Sequence, residues 1–358
     1  MSSPRPRRAR FSVSSCASAK PQGNEPALHR AALDSPPEEV AVRTVALFAL
    51  LVAFAWAHAQ PYPNRPVRLV IAAAPGGSTD VLGRVFAQRL AERTGQPFVP
   101  ENRGGGGGAL AAEFVAKAPA DGYTILMSND QLVISAAAGA KVPYEPFKDF
   151  APIAVVARGP VVLGVHPAFP AKSVADLVAL ARANPGKYAF SSCGNGTVLH
   201  LAGELLNLQA RIDLVHVPYR GCAPAMADAV SGQVPIFFTV LGNAAAFERN
   251  RKVRLLGVAT SQRIASHPDL PTIAESGFPG YDAYPWFGML APAGTPHEIV
   301  QRLAAEIMAA VPVREVSERI RGFSLEPTPL GPEALAELMK SDYDKWQRVV
   351  REANIKLE

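Results

Sequence analysis

Two short polar stretches carry the residue types best suited to holding an anion. The first is Pro75-Gly76-Gly77-Ser78-Thr79-Asp80, set between an apolar run and a helical pattern. Its glycines let the backbone approach a ligand closely. N–H groups at a helix start, helped by the helix dipole, favour a carboxylate or a phosphate. A tight strand-to-helix turn, with Ser78, Thr79 or Asp80 capping the helix, accounts for the same residues. Asp80 would repel an anion, so it is expected to cap the helix or to accept from an amine. The second stretch is Ser191-Ser192-Cys193-Gly194-Asn195-Gly196-Thr197, with His200 close behind. Hydroxyls, an amide and glycine N–H groups are neutral donors that suit carboxylate oxygens. His200 falls in the first turn of a helix, where a packed histidine bonded to backbone is the bland alternative. Tyr219-Arg220-Gly221-Cys222 is the next loop on the same side. Arg220 could clamp a carboxylate, or stand in solvent as most arginines do.

Other chemistries find little support. Gly104–Gly108 is a run of five glycines, but no Gly-Lys-Ser/Thr ending follows it and no ribose-binding acid is placed after it. It is read as a flexible or tightly packed turn. The seven histidines are scattered, with no pair at His-x-x-x-His spacing. There is no Gly-x-Ser-x-Gly elbow. Cys193 with His200 suggests a thiol nucleophile, yet no orienting acid accompanies them. No metal, no cofactor and no catalytic residue are therefore expected.

The elements that must position these loops follow a repeating theme. Residues 67–74 are an apolar run interrupted only by Arg68, suited to a strand buried on both faces. A helical pattern extends to about residue 93, and a short strand lies near 98–100. A helix is expected over 109–117 and a strand over 123–127. The middle of the chain repeats the unit, with strands near 153–157, 161–165, 188–192, 214–217, 236–240 and 253–259. Helices alternate with them over 174–183, 200–207 and 225–230. Residues 281–291 read as extended, and three helices close the chain over 296–310, 313–322 and 332–353. Strand–loop–helix repeats argue for parallel sheets covered by helices. Loops after parallel strands gather at the carboxyl end of the sheet, so the Ser191–Thr197 and Tyr219–Cys222 stretches are expected to share a rim. The fold class is α/β, with two doubly wound lobes, a ligand cleft between them and hinge closure around it. Residues 60–160 begin the first lobe, 161–285 form the second, and 286–358 return to the first. The last helices have no strands left to cover, so they are expected to pack on the first lobe. Crossovers are expected near 158–162 and 283–287.

The chain has 358 residues, 48% of them apolar and 19% charged, enough for two domains with real cores. Residues 1–59 hold seven Lys and Arg against four acids, so they carry +3 of the net +5. The remainder is near neutral and has no electrostatic footprint for nucleic acid. Arg43, an apolar run from Val45 to Trp56 and Ala57-His58-Ala59 are the parts of a secretory signal peptide. The run is short of the roughly 20 residues that span a bilayer. Cleavage is expected near Ala59/Gln60, with a disordered leader before it and a periplasmic destination. Beyond the leader stand Cys193 and Cys222, an even pair for an oxidising compartment. Small buried thiols are the expectation there, with one bridge between neighbouring loops as the alternative.

Five motifs carry a family resemblance. They are Tyr62-Pro-Asn-Arg-Pro-Val-Arg-Leu-Val with Pro75-Gly-Gly-Ser-Thr-Asp80; Glu101-Asn-Arg-Gly-Gly-Gly with Ala116-Lys-Ala-Pro-Ala-Asp-Gly-Tyr123; His216-Val-Pro-Tyr-Arg-Gly-Cys-Ala-Pro-Ala225; Leu270-Pro-Thr-Ile-Ala-Glu-Ser-Gly277; and Trp286-Phe-Gly-Met-Leu-Ala-Pro-Ala-Gly-Thr-Pro296. From about residue 60 onward the chain resembles the Bug family of extracytoplasmic receptors, the binding components of tripartite tricarboxylate transporters. The resemblance implies a two-lobed, hinge-closing periplasmic binding protein for carboxylates: dicarboxylates, tricarboxylates, aromatic acids or acidic amino acids. It implies a monomer working with membrane permease subunits. It places the ligand at loops corresponding to Gly76, Gly77, Ser78, Thr79 and Asp80, and to Ser192, Cys193, Gly194, Asn195, Gly196, Thr197 and His200. Ser128, Asn129, Tyr219, Arg220 and Thr239 join the candidate set. Departures mark some of these. Ser128-Asn129-Asp130-Gln131-Leu132 stands where the family often has a Thr-His-Ala-Ile-Asn-like stretch. Pro235 and Thr239 replace two acids, and Cys193 replaces a small residue. A missing carboxylate at Thr239 favours plain carboxylates over amine-bearing ligands. A sensor feeding a signalling partner, and a hydrolase or isomerase using the same cleft, are the competing readings.

Overall fold

The computed structural model describes residues 62–355; the expected leader and signal peptide lie outside them. The first sheet starts with β1 (Val67–Ile71), helix α1 (Ser78–Thr94), β2 (Phe98–Asn102), helix α2 (Ala109–Ala116), β3 (Thr124–Asn129), helix α3 (Gln131–Ala137) and β4 (Phe150–Arg158). Leu69, Val70 and Ile71 of β1 have no exposed surface. Apolar residues on both faces are tolerated there, with only Arg68 exposed, because helices cover both faces of the sheet around its parallel strands. β2 and β3 flank β1 and run parallel to it.

The chain then crosses at residues 159–160 into a second sheet. This half contains β5 (Val161–Val165), helix α4 (Val174–Ala183), β6 (Ala189–Ser192), helix α5 (Val198–Ala210), β7 (Val215–Pro218), helix α6 (Cys222–Ser231), β8 (Ile236–Val240), helix α7 (Leu241–Arg249) and β9 (Arg254–Val258). It returns through residues 283–285 to β10 (Trp286–Pro292), helices α8 (His297–Ala310) and α9 (Arg314–Gly322), β11 (Glu326–Leu330) and helix α10 (Pro332–Glu352). The six-stranded sheet has the order β11-β4-β10-β3-β1-β2, and the five-stranded one β7-β6-β8-β5-β9. Both are mixed, because β10 runs antiparallel to β3 and β4, and β5 runs antiparallel to β8 and β9.

Several details correct the sequence expectations. The extended stretch 281–291 narrows to β10, with residues 281–285 outside any strand. The terminal helices do have a strand between them. β11 carries Pro327 and Pro329, and it survives because it is the edge strand beside β4, where a missing N–H breaks no ladder on its outer side. Helices α3 and α7 follow their strands almost without a loop, so no turn signal announced them.

The two crossings lie side by side. Gly159 N–H donates to Pro285 O at 2.9 Å. The Arg158 guanidinium sits 3.7 Å over the Tyr284 ring and donates to Tyr284 O at 2.7 Å. Paired strand ends of this kind are where hinge rotation concentrates. The return segment also reaches further than the sequence suggested. Leu335 and Met339 of α10 are buried in the first half, but Trp346, Val349 and Val350 are buried in one cluster with Leu199, Leu201 and Leu205 of α5. Ile134 and Ala137 of α3 join that cluster. The C-terminal helix therefore packs on both halves along an apolar seam. Beneath it lie Asp130, Asp342 and Lys345, with the Lys345 ammonium 2.9 Å from Asp342 and Trp286 Nε1–H donating to Asp342 at 3.1 Å.

Candidate ligand-binding site

The first polar loop is organised by one carboxylate. Asp80, third in α1 and only 4% exposed, accepts from Gly76 N–H at 2.9 Å, from Asn102 Nδ2 at 2.8 Å and from Arg84 Nε at 2.9 Å. Burial works against its charge. The bonds from Gly76 and Asn102 and the Arg84 guanidinium outweigh that, and the carboxyl is held below its usual value. Asp80 is thus committed to shaping the loop; the helix-capping role expected of it is not seen, and its donors are a backbone N–H, an amide and a guanidinium, with no amine among them. Asn102 also donates to Ala73 O at 3.1 Å and accepts from Arg84 at 2.7 Å. Gly76 adopts φ +93°, a conformation few side chains tolerate. Residues 74–77 are exposed. Gly77 is the N-cap of α1 and offers no side-chain acceptor. The first N–H groups of a 17-residue helix therefore open onto an exposed loop without a cap. The glycine run packs beside it: a Cβ on Gly104 would lie 2.9 Å from Ala74 N. The run is a packed turn, as read from the sequence.

The second loop is organised differently. Cys193 and Cys222 form a disulfide, which overturns the expectation of two buried thiols. Cys222 is the first residue of α6, and the bridge ties the loop after β6 to the loop after β7. Tyr219 N–H donates to Ser192 O and Gly221 N–H to Cys193 O, so the two loops form one rim. With its sulfur in a disulfide, Cys193 is no thiol nucleophile. Thr197 caps α5, accepting from His200 N–H at 3.4 Å while its hydroxyl donates to Gly194 O at 2.8 Å. Gly196 N–H donates to His200 Nδ1 at 3.1 Å. His200 is buried and stacks on His216 with ring centroids 3.7 Å apart. His216 Nε2 lies 2.7 Å from Ser192 Oγ. Burial, and then the neighbouring His200, push the His216 imidazole down to about 3, so it is neutral at pH 7. A serine beside a neutral histidine resembles a hydrolytic pair, but Ser192 has no exposed surface. The pair organises the loop and presents no nucleophile. Asn195 is exposed at the tip.

The other candidates fall into place around these loops. Asn129 Oδ1 accepts from Gln131 N–H at 3.1 Å and turns the chain from β3 into α3. Ser128 is buried opposite Gly288 of β10. Thr239 is 2% exposed, accepts from Asn243 at 3.2 Å and lies 3.9 Å from the Cys193 sulfur. Tyr219 donates to Asp228 at 2.5 Å, and burial followed by that carboxylate raises its hydroxyl to about 12. Arg220 is exposed at the rim. Sequence reasoning missed Arg84 and Asn102 as the clamp on Asp80, and His216 as the partner of Ser192 and His200. Asn102 and His216 do stand inside quoted motifs. It also missed Gln131, whose side chain reaches from the first half to Gly196 O in the second at 3.3 Å. Among the described residues no cluster of His, Cys, Asp and Glu could hold a metal ion, and no helix is long and apolar enough to cross a membrane.

A model of the family described as tripartite tricarboxylate transporter family receptor matches residues 82–355. A protein encoded in the tcbD–tcbE intergenic region of Pseudomonas sp. strain P51 is 39% identical over 292 residues, covering 81% of this chain and 87% of the relative. Protein BugT of Bordetella pertussis is 33% identical over 302 residues, covering 84% and 93%. Among solved structures, R. palustris Rpa4515 with adipate superposes with a TM-score of 0.70 at 35% identity, covering 82% of this chain and 99% of that one. MatC from Rhodopseudomonas palustris with bound malate gives 0.67 at 33% identity, covering 81% and 100%.

Proposed function

The chain belongs to the tripartite tricarboxylate transporter receptor family, and from that premise we propose that it captures a small carboxylate between its two halves and delivers it to a permease of that transporter type. The observation that carries the reading is the uncapped start of α1. Its N–H groups and dipole suit a carboxylate, and Asp80 is fully engaged beneath them and leaves the exposed loop free. Across the cleft, the Ser192–His200 loop spends its donors within itself and shapes the opposite wall. The relatives that hold adipate and malate point to the same ligand class. Thr239, where the family carries an acid, leaves no carboxylate to recognise an amine, so plain carboxylates are preferred to amino acids. The chain works as an exported periplasmic monomer after cleavage near Ala59/Gln60, and it performs no reaction on its ligand.

The test is thermal unfolding against carboxylates, amino acids, sugars and nucleotides. A ligand that binds only the folded state adds about 2.7 kcal/mol of stability at a hundredfold excess over its Kd. Adipate, malate or another plain carboxylate is expected to raise the midpoint. A rise with sugars or nucleotides and with no carboxylate would overturn the reading, and a clear win for an amino acid would overturn the ligand preference.

A further inference from the structure

Gln131 is the first residue of α3 and half-buried. Its side-chain nitrogen donates to Ser135 Oγ at 3.0 Å, one turn along its own helix, and to Gly196 O at 3.3 Å in the opposite half. A primary amide has two N–H donors, so both bonds form at once. A carbonyl oxygen only accepts, so the nitrogen of the amide must face Gly196. The stem is held as well. Gly107, at φ +64°, lies so close that a Cβ there would come within 3.3 Å of Gln131 Cγ. Gly196 is equally fixed on its own side, since its N–H is taken by His200 Nδ1 and the loop is tied down by the Cys193–Cys222 bridge. Among the described residues, the other polar side-chain contacts between the halves run through the crossing segment at Asp282 and Tyr284. Gln131 alone makes such a bond at the ligand loop itself.

We infer that Gln131 is the latch that holds the cleft shut over a bound carboxylate. The bond can form only when the two halves come together, so it adds to the lifetime of the closed state without taking part in ligand entry. It also ties that closed state to the ligand loop, because Gly196 lies between Asn195 and the Thr197 cap of α5. The inference rests on the carboxylate reading for its ligand, and on the geometry alone for the contact.

The experiment compares full-length protein with Gln131→Met, which keeps the length and loses the donors, and Gln131→Glu, which sets an acceptor against an acceptor. Association and dissociation rates are measured with adipate and malate. A net hydrogen bond of ordinary strength predicts a dissociation rate about threefold to tenfold faster for Gln131→Met, with the association rate within about twofold of wild type. Gln131→Glu is expected to dissociate faster still. A loss carried by the association rate, or no change in either rate, overturns the latch. Hydrogen exchange on the ligand-free proteins gives a second reading that needs no carboxylate. The latch predicts faster exchange in both 131–137 and 193–197 in the variants, and unchanged exchange in these segments overturns it. If wild-type protein binds neither acid, the rates are measured with the carboxylate that raises the unfolding midpoint; if no carboxylate does, the proposed function fails separately and the exchange result decides the latch.

Discussion

The two polar loops occupy matching places, each between a strand and a helix at the carboxyl end of its sheet, yet they are held by opposite means. The loop of the first half hangs on one buried charge, Asp80, which draws in Gly76, Asn102 and Arg84. Its helix is left uncapped. The loop of the second half is held by a covalent bridge and neutral contacts, with Thr197 capping α5 and the Ser192–His216–His200 stack beneath. Its donors are largely spent on itself. A loop that keeps its helix N–H groups free can anchor an anion, whereas one that spends them internally can only shape the wall opposite. The comparison assigns charge recognition to the first half, and shape and closure to the second.

The assignment can be broken by comparing stability with affinity. Replacing both Cys193 and Cys222 with Ala releases a bridge spanning 29 positions. Chain entropy alone then lowers stability by about 3.5 kcal/mol, read from urea unfolding. Asp80→Asn costs less, about 2–3 kcal/mol, because the amide keeps one acceptor oxygen and Arg84 can turn to water. Carboxylate affinity is expected to run the other way. Asp80→Asn releases Gly76 and the mouth of α1, and should weaken binding by about tenfold or more, whereas removal of the bridge should weaken it less. If the bridge variant loses more affinity than Asp80→Asn, charge recognition belongs to the second loop and the assignment is reversed.

Much of this was legible in the residues. The run Val67-Arg68-Leu69-Val70-Ile71, apolar except for Arg68, with glycines behind it marks a buried parallel strand feeding a helix, and that is what β1 and α1 are. Asp80 was expected to cap the helix or to accept from an amine, and its real donors, Gly76, Asn102 and Arg84, include two side chains that the sequence did not place beside it. What escaped was long-range. The bridge between Cys193 and Cys222 was legible only as an alternative, because their approach depends on β6 and β7 pairing in register from Ala189–Val215 to Ser192–Pro218. The seam formed by Trp346, Val349 and Ile134 escaped for the same reason: an amphipathic helix shows which face it buries but not which sheet receives it. Gln131 sat in a stretch noticed only for its departure from the family pattern, and its role appears once Gly196 is set opposite.

The smallest effect, and the one that separates the halves most directly, is in pH. Asp130 lies at the start of α3, buried, with Oδ2 unpartnered. Burial, and then the Asp342 carboxylate, push it up to about 8, with Lys345 and Arg158 pulling the other way. In the unfolded chain it titrates near 3.8. The folded protein therefore holds an extra proton between those values, and this contribution is full below pH 3.8 and is lost as pH rises through 8. His216 has the opposite sign. Its folded value is about 3 against 6.5 unfolded, so its contribution is full above pH 6.5 and is lost as pH falls towards 3. From pH 8 down to 6.5 only Asp130 of the two acts, and stability should rise by about 1.4 kcal/mol per unit at most. Below 6.5 the two oppose each other and the profile should flatten. Urea midpoints across pH 5–8.5 read both: Asp130→Asn should remove the slope above 6.5, and His216→Phe should unmask a continued rise below it. A profile in which His216→Phe changes nothing below pH 6.5 would mean that His216 is not held neutral by the fold, and the second loop would then carry a titrating charge of its own.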